Sequence, residues 1–490
     1  MAGIGFELNK LFNRKSIVNY IGAYTAAAMV FTGPVLLGIV LLVFVRILSG
    51  LGGAERYEQD IIVVIITYSL IGSMLLNNIF STTITRYVAD MMYTNREKRV
   101  IPALHGGITA QIGVAVLVWA PFMIFSGAGP VYSAMGFILF CELIAVWTLI
   151  GFVSAVKDYI RIIIVFAAGV ASSILAGLFL AVVTDMDIIA AMLIAVYLGY
   201  GIMVIGYYDA LKRYFPESEG GPFRFIEYFF LNPQLPGIGL CLSIGTFSHF
   251  LVVWMSPFGV QIIGSFYSAP LYDVPALFAF ITTLITTINF STTTEVYFYP
   301  AYRSYYSLLN TNGSLQAIEL AEKDMLTILK RELLYLIFKQ FVITLLVCSI
   351  GSAFLGEATF AGFNATSRGL FRVLSVGYGI FASANGILMF LFYFANYKFS
   401  LISTSLFALG TLGCSLFFYY TGAGISMFGF SIMGGAVLMY ITSLFFLWYY
   451  TRKLQYHIFS KQPLLANVQH GWLYNKVKRL WTDAPEQVKK

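Results

Sequence analysis

The feature that most constrains this chain is a ladder of apolar segments near 18–45, 61–86, 103–126, 131–156, 160–184, 187–211, 237–258, 269–296, 332–355, 370–395, 398–421 and 426–450. Each holds about 20 residues or more, enough for a helix to cross a hydrocarbon core of about 30 Å. Within that core only helices and closed barrels satisfy their own backbone groups. A barrel would read as alternating segments of about ten residues, a pattern absent here. Composition agrees, with 59% hydrophobic and 11% charged residues against about 25% charged in soluble domains. The expectation is an all-α integral membrane protein with about twelve transmembrane helices, the tightest break being Asn396-Tyr397-Lys398 between spans 10 and 11.

A net charge of +7 points to topology rather than to nucleic acid, because the cations alternate between connections. With a cytoplasmic N-terminus, the inside holds Lys10, Arg14, Lys15, Arg86, Arg96, Lys98, Arg99, Lys157, Arg161, Lys212, Arg213, Arg224, Arg303, Lys323, Lys330, Arg331, Lys398 and a basic tail. The outside keeps Arg46, Arg56, Arg368 and Arg372. Both termini are thus expected in the cytoplasm. Cys141, Cys241, Cys348 and Cys414 lie in apolar spans without C-x-x-C spacing, so neither disulfides nor zinc is implied. The basic start runs into an apolar segment too long for a signal peptide, and no cleavage is expected.

One polar stretch recurs. Asn77–Asp90 closes span 2, and Asn289–Tyr297 closes span 8; Phe80-Ser81-Thr82-Thr83 and Tyr87 fall on Phe290-Ser291-Thr292-Thr293 and Tyr297. Placement at the same end of spans 2 and 8 suggests two tandem six-span halves. The divisions are a segment 1–17, a first bundle 18–211, a linker 212–236, a second bundle 237–450 with an inner loop 301–331, and a tail 451–490. The linker carries Phe223, Phe225, Ile226, Phe229 and Phe230 around Arg224 and Glu227, as in a short interfacial helix. Ala301–Glu332 has a helical apolar period, either a docking surface for a cytoplasmic partner or a solvated helix. In the tail, Trp472, Tyr474 and Trp481 interleave with Lys476, Lys478 and Arg479, which suits an anionic lipid surface.

Charges inside a bilayer are costly and usually face a cavity or a partner. Glu142, in mid-span 4, reads either as a cavity carboxylate for a sugar hydroxyl or a proton, or as a neutral or paired carboxyl. Span 8 places Thr283, Thr287, Ser291 and Thr294 on one face, near Asn289; with Asn77 and Asn78 of span 2 they are candidates for a water-lined wall or for helix–helix bonds. Arg86 and Glu295 lie at equivalent inner ends and are candidates for a gate, Arg86 reading equally as a topogenic charge. Arg368 and Arg372 share a face at the outer start of span 10, with Asp273 at the outer start of span 8. They suit a polyanion or snorkelling. His249 reads as a satisfied core histidine. Gly33-Pro34, Pro121 and Pro275 are candidate kinks. No His/Cys cluster, P-loop or nucleophile elbow is present, so neither an enzyme nor a cofactor is expected.

Met1-Ala2-Gly3-Ile4-Gly5-Phe6-Glu7-Leu8, a basic stretch and then Thr32-Gly33-Pro34 resemble the opening of the PelG-type exporters of the Pel exopolysaccharide. Length, twelve spans and the six-plus-six organisation fit that family over essentially the whole chain. The resemblance implies membership of the multidrug/oligosaccharidyl-lipid/polysaccharide flippase superfamily, with two bundles around a central cavity walled by spans 1, 2, 7 and 8. It also implies passage of an N-acetylhexosamine-rich polymer made by a partner glycosyltransferase, with a cyclic-di-GMP receptor subunit in the complex; no nucleic acid is expected, from the placement of the cations. The alternatives are a lipid-linked oligosaccharide flippase, an ion-coupled drug exporter, or a membrane scaffold for a synthase.

Overall fold

The computed structural model describes residues 43–156, 159–311, 313–357 and 365–460; the side chains of 155, 159, 160, 284–289, 291–293, 295 and 354–357 are outside the description. Span 1 up to residue 42 with Gly33-Pro34, the N-terminal segment and the aromatic tail beyond residue 460 also lie outside it. Spans 2 to 6 are Arg56–Tyr93, Val100–Phe125, Pro130–Val156, Tyr159–Val183 and Ile188–Tyr214. Spans 7 to 12 are Gln234–Trp254, Pro270–Thr293, Leu315–Glu357, Ala365–Tyr393, Tyr397–Tyr420 and Ile425–Arg452. Among the described residues, ten helices are long and apolar enough to cross a bilayer; span 8, a threonine-rich helix of 24 residues, is not one of the ten.

Short polar residues end the helices where the sequence leaves little room. Asn396 caps span 11, its side-chain oxygen accepting from the Phe399 amide at 3.5 Å, while Ala395 takes the left-handed conformation at φ 50°. The break between spans 10 and 11 therefore needs no longer loop. Asp187 caps span 6 through the Ala190 amide and accepts from the Tyr132 hydroxyl, both at 3.1 Å, tying the start of span 4 to span 6. Pro121 and Pro275 sit inside spans 3 and 8.

Two large apolar cores divide the chain. One runs from Val45 through Leu143, Tyr200 and Tyr207 to Phe225; the other from Val252 through Tyr272, Tyr378 and Phe407 to Leu454. Each six-span half thus buries its own side chains, as the repeat of spans 2 and 8 implied. The linker belongs to the first half. Phe225 is fully buried in that core, whereas Phe230 is exposed.

Three features depart from simple spans. Span 9 is a 43-residue helix, about 64 Å long at 1.5 Å per residue, which absorbs most of Ala301–Glu332 after a short helix Tyr299–Asn310. Span 8 ends in a π-helical turn, Thr294–Phe298, at its hydroxyl-rich stretch. Between spans 7 and 8 two short strands, β1 (Val260–Ile263) and β2 (Phe266–Ser268), pair antiparallel. The described residues are all-α apart from this hairpin.

Candidate functional site

Spans 2 and 7 carry the halves against each other. Asn78 and Thr82 are one helical turn apart on span 2, and Leu235, Gly239 and Ser243 repeat at the same interval on span 7. The Asn78 amide donates to the Ser243 hydroxyl at 3.0 Å, and the Thr82 hydroxyl donates to the Leu235 carbonyl at 3.0 Å. Gly239 lies directly under the Asn78 carbonyl oxygen, where any Cβ would collide with backbone. Small residues at such a crossing let two membrane helices approach. The seam is therefore polar and closely packed at once.

At one end of the seam the hairpin crosses between halves. The Tyr68 hydroxyl of span 2 donates to the Tyr267 carbonyl and accepts from the Tyr267 amide, both at 3.1 Å. Its ring stacks on Trp254 at 4.6 Å and meets the Phe266 ring edge-on at 4.9 Å. Phe266, fully buried, packs with Val64, Met123 and Ala128 of the first half. Asp273 caps this assembly from the second half: its carboxylate accepts from Trp254 Nε1, the Ser268 hydroxyl and the Ala269 amide. Asp273 is thereby committed to local structure.

The other end, the face carrying the linker, is built from charge. Arg86 pairs with Asp90 at 3.0 Å, one turn further along span 2, and both side chains stay partly exposed. The side chains of Tyr397, at the start of span 11, and of Tyr228 in the linker lie close to this pair. The sequence paired Arg86 with Glu295, whose side chain is outside the description. The described partner is Asp90. Nearby, Lys98 bonds Glu217 of the linker at 2.7 Å and holds that carboxyl below its usual range. Tyr68 and Arg86 are 18 residues apart, about 27 Å along one helix, so the two closures sit a bilayer core apart.

Polar groups also link spans within each half. The fully buried Gln111 of span 3 donates to Thr148 of span 4 at 3.0 Å, and the Thr148 hydroxyl lies 3.4 Å from Asn77 Oδ1. Gln340 of span 9, the positional counterpart of span 3, donates to Thr344 at 3.2 Å and toward the Thr282 carbonyl of span 8 at 3.4 Å. This echo between halves has no counterpart in the sequence repeat. His249 is buried among Tyr272 at 2.8 Å and Tyr378 at 3.3 Å, joining spans 7, 8 and 10.

Glu142 faces span 6. Its Oε1 lies against Gly201, and its Oε2 is buried without a hydrogen-bond partner, near Tyr197 and Tyr200. The carboxyl is therefore inside the first half rather than at the seam. On span 8, Thr282 and Thr283 donate to the carbonyls of Ala279 and Phe280 in their own helix. The side chains of Thr287, Asn289 and Ser291 are outside the description. Arg372 donates to Ser352 of span 9 at 2.8 Å and Arg368 is exposed. Among the described residues no group of three or more His, Cys, Asp or Glu gathers to hold a metal. Tyr68, Trp254 and Phe266 escaped the sequence reading, since three separated aromatics carry no local signal.

Solved structures share this fold. The chain is similar to a MOP superfamily transporter from Pyrococcus furiosus at 14% identity and TM-score 0.57, with 88% of this chain and 96% of that one covered. A multidrug resistance MATE family transporter of the same superfamily, in its outward-facing conformation, matches at 14% identity and TM-score 0.57 over 93% and 100% of the two chains. Its inward-facing conformation matches at 12% and 0.54 over 86% and 96%. No curated protein matches the sequence. The family model described as "Putative exopolysaccharide Exporter (EPS-E)" matches residues 1–459. With that match spanning nearly the whole chain, on a MOP-type transporter fold, this multi-pass membrane protein belongs to the PelG family of exopolysaccharide exporters.

Proposed function

We propose that the protein moves an N-acetylhexosamine-rich, Pel-like polymer across the bacterial cytoplasmic membrane, opening in turn at the linker face and the hairpin face. The linker face and both termini are cytoplasmic in this reading, as the cation distribution requires. A partner glycosyltransferase, with a cyclic-di-GMP receptor subunit, delivers the polymer there. The observation that carries the reading is the seam of Asn78, Thr82, Ser243 and Leu235, which places hydrogen-bonding groups between two independently cored halves. Parting those halves exposes donors and acceptors suited to sugar hydroxyls. Glu142, buried without a partner for Oε2, serves as a proton-bearing carboxyl that the cycle exposes.

The test is the location of N-acetylhexosamine polymer in cells with an intact synthase, comparing the native chain, its deletion and Glu142→Gln at matched membrane levels. Loss of surface polymer in both variants, with the synthase complex still assembled in Glu142→Gln cells, supports export. Normal secretion in Glu142→Gln, with loss only on deletion, makes Glu142 structural. Secretion that survives deletion removes the export reading.

A further inference from the structure

We infer that the hairpin 260–268 is a releasable seal, anchored on the second half and seated on the first, that must lift for that face to open. The inference rests on the export reading only for when the seal lifts; that it seals stands on geometry. An isolated two-stranded hairpin is marginal by itself, and this one has strands of four and three residues. Its order comes from what it touches. The two sides of its docking are unequal. Toward the second half, the Asp273 carboxylate collects bonds from Ser268, Ala269 and Trp254 within a few residues of the strands. Toward the first half, the described polar contacts are the two bonds to Tyr68 and one from the Ser265 amide to the Ser126 carbonyl at 2.6 Å. One buried ring, Phe266, fills the seat among Val64, Met123 and Ala128.

The turn is shaped for that seat. Gly264 has φ +52° and approaches the Ser126 carbonyl and Gly127, itself at φ +78°, so closely that a Cβ would strike the backbone. An L-residue there is both strained and obstructed. Tyr68 completes the seal because its ring lies against Trp254 of the second half while its hydroxyl holds the Tyr267 peptide. Lifting the hairpin costs the Phe266 seat, the partly buried contacts of Ile262 and Ile263 with the first half, and three hydrogen bonds; it leaves the Asp273 cap intact and uncovers the first half's loop at Ala128. Tyr68 and Phe266 are thus gating residues for passage at this face.

The test uses the full chain with its four native cysteines replaced, in cells where that chain still supports surface polymer, carrying Ala128→Cys as a reporter. A membrane-impermeant maleimide is added to whole cells, and labelling is timed with polymer synthesis off and on. The seal predicts slow labelling at rest, at least tenfold faster labelling with Gly264→Ala or Phe266→Ala, and severalfold faster labelling in the native-hairpin chain while polymer is made. Tyr68→Phe, which keeps the ring, is the mild variant and should fall between. Labelling unchanged by Gly264→Ala and Tyr68→Phe, in chains present at normal membrane levels, overturns the seal. Labelling that is the same with synthesis on and off, while surface polymer still requires the chain, overturns its release. Whether surface polymer requires the chain is scored separately by deletion, so failure of the export reading is seen apart from failure of the seal.

Discussion

The two ends of span 2 close the molecule with different chemistry. At the hairpin end, the rings of Tyr68, Trp254 and Phe266 pack together and the hydrogen bonds between the halves run to backbone. At the linker end, Arg86, Asp90, Tyr228 and Tyr397 make a partly exposed charged cluster. An apolar seat is held by burial and is nearly indifferent to salt, whereas exposed ion pairs are worth little and are screened. The hairpin face is therefore the firmer closure, and the linker face the one that opens at lower cost.

The largest expected effect strikes the seam that both closures share. Gly239→Ala forces span 7 off the Asn78 carbonyl, and purified protein should show loss of the compact form by thermal melting together with loss of export. A variant that melts like the native chain would mean the seam is looser than drawn. Next comes Phe266→Ala, where removing a buried ring costs about 3–5 kcal/mol and the melting transition should fall without dependence on salt. Asn78→Ala removes the amide bond to Ser243, and bonds of this kind average about 0.6 kcal/mol with a maximum near 1.7. Its stability loss should vanish in a Ser243→Ala background, as a double-mutant cycle would read. The smallest effect belongs to Asp90→Asn, about 0.3–0.5 kcal/mol for an exposed pair one helical turn apart. It should disappear in high salt; a salt-independent loss above 2 kcal/mol would erase the distinction between the two faces.

Gating through Arg86 and Glu295 can be sharpened in the same way. If those residues close the linker face, Arg86→Glu and Glu295→Arg each impair export and the double exchange recovers part of it. If Arg86 works through Asp90, the recovery appears instead in the Arg86→Asp, Asp90→Arg exchange.

The spans and the two halves were legible because apolar length and a repeated Phe-Ser-Thr-Thr are local properties of the chain. The tightest break, Asn396-Tyr397-Lys398, was placed by its polarity alone, and the structure adds that Asn396 caps span 11. The hairpin was not legible. Val260–Ser268 follows an apolar span without charged residues, and its strands exist because Tyr68 and the Ser126 loop, more than 130 residues earlier, hold them. Glu142 was flagged by its cost in a membrane, but its direction toward Gly201 and Tyr200 depends on how span 6 rotates against span 4.

Sequence alone determined that the chain lives in a bilayer as about twelve helices, because hydrophobic length and backbone satisfaction leave no other solution, and its repeated Phe-Ser-Thr-Thr pointed to two related halves. Tertiary structure alone decided which polar groups meet. In hydrocarbon a hydroxyl or amide can be satisfied equally by its own helix or by a neighbour. The Thr282 hydroxyl bonds the Ala279 carbonyl of its own helix and the Asn78 amide bonds Ser243 of span 7, whose Gly239 passes close beneath span 2.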